Sequence, residues 1–322
     1  MLDNICDVPG VLVGHATDMT GATGCTTILF EAPGGATVGV DVRGSSPGTR
    51  ETDRLSPTGT VRGTHALLLT GGSAFGLAAA DGVVRLLEER GTGLDVGVAR
   101  IPLVSAAVIF DLVVGSPDAR PGPEMGYEAA SEAASSAMSE DFAQGTVGAG
   151  TGATVGKILG MERSMKGGVG SASVHLDNGL VIGALAVVNA FGHVRDPRTG
   201  DVLAGPRLDD GKLGDTVQLL TEAAARMRWG ENTTLGVVAT NAHLTKPQST
   251  KVAQMAHDGL ARAIEPVHTS VDGDVVFAAS AGDLDAVHDV VGTWGARMMQ
   301  EAILRAVRAA EGLPGIPAVS EL

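Results

Sequence analysis

Cysteine is scarce in this 322-residue chain. Only Cys6 and Cys25 occur, which gives neither a disulfide framework nor metal-ligand spacing. Aromatic residues make up 3%, so a core must be packed from Val, Leu, Ile and Ala, and few rings are available for bases to stack on. Positive charge is also in short supply. With 23 basic against 37 acidic side chains and a formal charge of −14, no basic stripe is available to neutralise phosphates, and an anionic membrane would repel the surface. Neither nucleic acid nor membrane is expected as a partner. The longest apolar stretch, 101–115, is too short to span a bilayer and contains Asp111. The start, Met1-Leu2-Asp3-Asn4-Ile5-Cys6-Asp7, lacks the basic and apolar regions of a secretory signal. A cytoplasmic location is the expectation.

Aliphatic residues and glycine are plentiful. Hydrophobic residues make up 44% of the chain, and the 46 glycines follow no Gly-X-Y period, which points to tight turns and close backbone approach. Ala36–Val42 alternates as a strand. The apolar run 65–70 has strand length, is closed by Gly71-Gly72-Ser73, and leads into helical spacing over 74–90 with Gly91 as a stop. A polar linker and an Ala-rich helix occupy 121–140. Asp177-Asn178-Gly179 marks a hairpin between strands 171–176 and 180–188. A helix is expected over 212–228, then strand 235–240, helix 250–264, strand 274–279 and helix 284–311. No repeat or domain break interrupts this order, so residues 1–322 are read as one α/β (α+β) domain, with two sheets or one mixed sheet covered by helices.

The most informative segment is Asn232-Thr233-Thr234, which runs straight into the apolar stretch Leu235-Gly236-Val237-Val238-Ala239-Thr240. On its own it reads as a capped turn before a strand. Were the bond before Thr233 cut, however, one residue would carry both a hydroxyl nucleophile and an α-amine, whose pKa of roughly 7.7–8.0 suits a base at neutral pH. The glycine-rich run 145–156 precedes Lys157. It fails as a phosphate loop, because the first glycine of a GxxxxGK[ST] match falls on Thr151 and Ile158 follows the lysine. A lysine beside a free amine would favour its neutral form. Asn189 ends a strand, as either a turn residue or an oxyanion donor. Asp272-Gly273-Asp274 is either a solvated turn or a carboxylate pair able to orient an amine or hydroxyl. The eight histidines form no Ser/His/Asp or HExxH pattern and are read as structural; His268 is one that flanks a strand.

Three ordered stretches identify a family resemblance. Asp7-Val8-Pro9-Gly10-Val11-Leu12-Val13-Gly14-His15, Gly71-Gly72-Ser73-Ala74-Phe75-Gly76-Leu77 and Ile101-Pro102-Leu103-Val104-Ser105-Ala106-Ala107-Val108-Ile109-Phe110-Asp111 each resemble signatures of the L-aminopeptidase/D-esterase (DmpA-type) peptidases, which include β-aminopeptidases and nylon hydrolase. The resemblance implies a four-layer αββα sandwich, like N-terminal-nucleophile hydrolases but with different connectivity. It implies self-cleavage between Asn232 and Thr233 into an α chain (1–232) and a β chain (233–322) that stay associated. The Asn-Thr junction looks most like the 6-aminohexanoate-oligomer endohydrolase subgroup. There Thr233 would be the nucleophile, assisted by Lys157, Asn189, Asp272 and Asp274, acting on a small peptide or amide without cofactor or metal, in a homotetramer of αβ units. Tyr127, the one tyrosine, has flanks that do not match the family's catalytic tyrosine. Two alternatives share the fold: an acyltransferase of the ornithine acetyltransferase type, and a non-catalytic binding protein.

Overall fold

The computed structural model describes residues 3–136, 142–222 and 232–322. In chain order the first half contributes β1 (Val11–Asp18), β2 (Thr23–Phe30), β3 (Ala36–Val42), β4 (Thr49–Arg50), β5 (Gly63–Thr64) and β6 (Ala66–Thr70). Helix α1 (Ala79–Glu89), the small hairpin β7 (Leu94–Asp95) and β8 (Arg100–Ile101), β9 (Val104–Val108) and α2 (Pro123–Ser135) follow. The second half adds β10 (Thr154–Val155), β11 (Met165–Lys166), β12 (Gly168–His175), β13 (Val181–Asn189), β14 (His193–Arg195), β15 (Val202–Ala204) and α3 (Thr216–Glu222). It closes with β16 (Thr233–Ala242), α4 (Lys246–Ala263), β17 (Ile264–Glu265), β18 (Val275–Leu284) and α5 (His288–Arg308).

Two large sheets carry the architecture. One has the order β1-β2-β6-β9-β4, the other β12-β13-β16-β18-β3-β5. Their strands are apolar on both faces because both faces are buried. Along β13, Leu185 and Val187 face the opposite sheet while Ala184, Ala186 and Val188 face α4 and α5. β18 repeats this with Val275 and Phe277 inward and Val276 and Ala278 outward. On the first sheet Leu67 and Leu69 point to the inter-sheet layer, and Ala66 and Leu68 to α1 and α2. Period-2 alternation in strands without polar faces thus makes three stacked apolar layers, and the result is the αββα sandwich.

The expected elements are present, with shifted ends. The 171–188 hairpin is β12–β13, in register from Gly168↔Val188 to His175↔Val181. The 74–90 helix begins as a 3-10 segment, Ser73–Ala78, before α1. Helix α4 starts a turn earlier than 250, because the Thr245 hydroxyl and the Gln248 side chain form a capping box. Strand β16 begins at Thr233 itself. The helix expected over 212–228 starts later: Lys212–Asp215 are not helical, and Asp215 Oδ1 accepts from the Val217 and Gln218 amides at the start of α3, Thr216–Glu222. Residues 223–228 of that expected helix, with the rest of the Arg228-Trp229-Gly230-Glu231 segment, lie outside the described residues. Among the described residues no helix is long and apolar enough to cross a membrane.

Candidate active site

One end of the inter-sheet layer gathers polar residues. Thr233, at the start of β16, is directly paired with Asn189 at the end of β13. Thr233 keeps the parity of Leu235 and Val237, and Asn189 that of Leu185 and Val187, so both side chains project into the layer between the sheets. Opposed residues of an antiparallel pair hold their Cβ atoms ~4.5–5.5 Å apart. On its other side β16 runs parallel to β18, and a bridge between Asn232 and Asp272 extends that ladder past the strand starts. Asn232, Thr233, Asn189, Asp272 and Asp274 are all buried.

Asn189 is the hub. Its Oδ1 accepts from the Lys157 ammonium at 2.8 Å and from the Thr154 amide at 3.0 Å, and its carbonyl accepts from Lys157 at 3.0 Å. The ammonium and the backbone amide can only donate, which orients the side-chain amide, and the Thr154 hydroxyl donates to the same oxygen at 3.4 Å. Nδ2 therefore donates to the Phe110 carbonyl at 3.0 Å, across from the other sheet. Lys157 reaches this position because Gly156 N–H and Lys157 N–H bond to the carbonyls of Gly192 and Phe191. Through these two bonds it holds both the backbone carbonyl and the side chain of the residue opposite Thr233.

The aspartates clamp their own loop. Asp272 accepts from the Phe191 amide at 3.3 Å and from the amide and hydroxyl of Thr269. Asp274 accepts from the Thr234 amide at 2.6 Å, the His268 amide at 3.1 Å and His268 Nδ1 at 2.7 Å. Burial, followed by the neighbouring Asp274 charge, pushes Asp272 up to about 6. The Asn232 carbonyl accepts from the Thr233 hydroxyl and, at 3.0 Å, from the Gly273 amide.

A model of peptidase family S58 matches residues 3–319. The chain belongs to peptidase family S58. It is 40% identical, over its whole length and 98% of the relative's, to a Mycobacterium tuberculosis protein named as an uncharacterized aminopeptidase. A 6-aminohexanoate-oligomer endohydrolase of Kocuria sp. is 32% identical over 87% of this chain and 75% of its own. Two solved structures share the fold. The L-aminopeptidase D-Ala-esterase/amidase of Ochrobactrum anthropi, titled a variant of the Ntn hydrolase fold, superposes with TM-score 0.73 at 20% identity, covering 98% of this chain and 90% of that one. A Burkholderia β-aminopeptidase gives 0.70 at 22%, covering 96% and 87%. As an S58 peptidase, the protein is a hydrolase of peptide or other amide bonds.

In this S58 chain the five residues singled out from the sequence converge: Thr233, Asn189, Lys157, Asp272 and Asp274 belong to one network. Tyr127 does not join it. It lies on α2 in the outer helical layer, where its hydroxyl donates to Glu89 at 2.7 Å and the Arg85 guanidinium covers its ring at 4.6 Å. Several participants carry no sequence motif. His268, read as structural, bonds Asp274. Thr154 and Phe110 hold the Asn189 amide through backbone groups that no side-chain pattern announces.

Lys166 was also invisible in sequence. Fully buried on β11, its ammonium donates to the carbonyls of Gly150, Thr151 and Ala153 at 3.2, 2.7 and 2.8 Å, pinning the glycine-rich loop that supplies Thr154. Burial pushes its pKa down to about 7, while Asp111 opposes the shift. Three carbonyl acceptors require the three-donor ammonium, so the charged form is the one that holds the loop. Lys166→Met is expected to cost about 3 kcal/mol in urea unfolding, since it strands buried acceptors. A loss below about 1 kcal/mol would mean the loop is held by other contacts.

Proposed function

We propose that this S58 hydrolase is a self-processing N-terminal threonine peptidase whose nucleophile is Thr233. What carries the reading is the Thr233 hydroxyl bonded to the carbonyl of the peptide just before it, with Asn189 across the ladder. In the first stage, Thr233 Oγ adds to the Asn232 carbonyl carbon and the C–N bond breaks. The hydroxyl proton ends on the departing nitrogen, and water cleaves the resulting ester. In the second stage, the new α-amine of Thr233 takes the hydroxyl proton as Oγ attacks a substrate amide, and water clears the acyl-enzyme. The same amine returns the proton to the leaving group. Asn189 and Lys157 form a positive, donor-rich wall beside the nucleophile, while Asp272 and Asp274 hold the backbone around it.

The named relatives suggest the substrate class: N-terminal residues of short peptides and amides of small amino acids, including ω-amino acids. The α and β segments are neighbours in one sheet. Strands β13 and β16 lie on opposite sides of the cut yet pair along their length, which would keep the two products associated. N-terminal sequencing of purified protein should return Thr233 as a second chain start. p-Nitroanilides of L-Ala, D-Ala, β-Ala and 6-aminohexanoate then rank the acyl groups. An intact chain of 32.4 kDa after prolonged incubation contradicts the proposal.

The acid limb of self-cleavage follows from Asp272. Its carboxylate accepts from three donors, so protonation turns one acceptor oxygen into a donor and rearranges the contacts that shape the 269–273 turn beside Asn232 and Thr233. Because its pKa is raised from 3.8 to about 6, the folded chain binds this proton more readily than the unfolded one. This group's contribution to stability therefore falls as pH rises between those values. The apparent pKa belongs to the Asp272–Asp274 pair together. Cleavage rate is expected to drop below about pH 6, and Asp272→Asn should flatten that limb while slowing the plateau. An unchanged acid limb in the variant would assign it to another group.

A further inference from the structure

Resting on the self-cleavage reading, we infer that the backbone N–H of Gly273 is an oxyanion donor of this site, serving both the cut at Asn232–Thr233 and the later hydrolysis of substrate. The amide already donates to the oxygen that would acquire charge. Gly273 N lies 3.0 Å from the Asn232 carbonyl oxygen, to which the Thr233 hydroxyl also donates. As Oγ bonds to the Asn232 carbon, the carbonyl π pair moves onto that oxygen. The Gly273 N–H is then in place to stabilise the charge without reorganising. Expulsion of the Thr233 nitrogen, which keeps its hydrogen and gains the hydroxyl proton, restores the carbonyl as an ester on Oγ.

Three observations support this role over a merely structural one. The first is that residue 273 must be glycine: a Cβ there would stand 2.8 Å from Thr233 Oγ1 and 2.5 Å from the Ser46 carbonyl, so the backbone lies directly against the nucleophile. The second is that the amide is clamped from both sides. Asp272 is tied to Phe191 and Thr269 through its carboxylate and to Ser46 N–H at 3.0 Å through its carbonyl. Asp274 is tied to Thr234 and His268 through its carboxylate, and to the amides of Arg43 and Gly44 through its carbonyl at 3.0 and 3.2 Å. The Asp-Gly-Asp sequence is in this view two anchors flanking one donor. The third is that Asn189, the obvious side-chain candidate, already commits one of its two Nδ2 hydrogens to the Phe110 carbonyl, so it supplies at most one donor and leaves a place for a backbone N–H.

Once the chain is cut, the Asn232 carboxylate can leave while the clamps on Gly273 remain. An acyl group on Thr233 Oγ puts its own carbonyl oxygen where the Asn232 oxygen stood, because both stages pass through an ester on the same atom. The donor therefore serves both reactions.

The decisive test removes one hydrogen. The full chain is made by cell-free synthesis with glycolic acid in place of Gly273, so that an ester replaces the Asp272–Gly273 amide, and its cleavage is timed beside the unmodified chain. Slowing of tenfold or more is expected, toward the ~100–1,000-fold that losing an oxyanion donor costs; slowing of less than tenfold overturns the assignment. An unmodified chain that never cleaves removes instead the self-cleavage reading, which separates the two failures. If the ester chain does not fold, amide exchange of 15N-labelled Gly273 decides. Its N–H should be protected in uncut Thr233→Ala, exchange faster in the cut wild type, and regain protection when a peptide aldehyde adds to Thr233. Equal exchange in all three states rules the donor out.

Discussion

Thr233→Ala is expected to leave the protein as one uncut chain and to abolish amide hydrolysis altogether. The variant removes only a hydroxyl and a methyl from a buried position, so the fold should persist: β16 keeps its pairing with β13 and β18, and the apolar layer begins two residues later at Leu235. Both activities should fail together, because the proposed mechanism uses one oxygen as nucleophile in each stage. Thr233→Ser, which retains the oxygen, should still cleave and hydrolyse. It should do so more slowly, since the lost methyl frees a rotamer that β-branching restricts. Gel electrophoresis over hours and p-nitroanilide assays read both outcomes. Residual hydrolysis by Thr233→Ala above the solvent background would place the nucleophile elsewhere.

Asn189→Ala should be the next most damaging change, lowering kcat/KM by about 100-fold, or about 2.7 kcal/mol, the loss expected when groups around a nucleophile shift by about an ångström. The side chain ties three segments: Lys157 and Thr154 through Oδ1, and Phe110 of the opposite sheet through Nδ2. Without it the Lys157 ammonium loses the side-chain acceptor at 2.8 Å, and the Thr154 amide is left without that acceptor in a buried setting, so the wall beside Thr233 loosens. Asn189→Asp separates positioning from charge. It restores an acceptor for Lys157 but puts a carboxylate against the Phe110 carbonyl, so it should not recover activity near neutral pH. A loss below about fivefold in Asn189→Ala would show that Lys157 and the loop hold their places unaided.

The two effects differ in how far the sequence foretold them. A hydroxyl residue at the junction of a polar segment and an apolar run already marked Thr233, and alternation along β16 sends its side chain to the same face as Leu235 and Val237. Asn189 at the end of an apolar strand and the Asp272–Asp274 pair before another were equally visible as strand-end polar residues. Their meeting was not. It depends on β16 lying between β13 and β18, neighbours set by long-range packing of three apolar layers. His268 illustrates the same gap. Scattered histidines make no pattern, yet the turn before β18 puts Nδ1 of this one 2.7 Å from Asp274.

Local chemistry in the chain was enough to locate strands, turns and the threonine, and three signature stretches indicated the family, because periodicity, turn residues and motif order are short-range properties. Only the tertiary structure decided which backbone groups meet the polar groups of the candidate site: the Gly273 amide on the Asn232 carbonyl, the Phe110 carbonyl on Asn189, and three loop carbonyls on Lys166. Every residue carries the same peptide group, so nothing in the letters distinguishes one N–H from another. Their roles arise from register and from the burial that leaves each polar group so few partners.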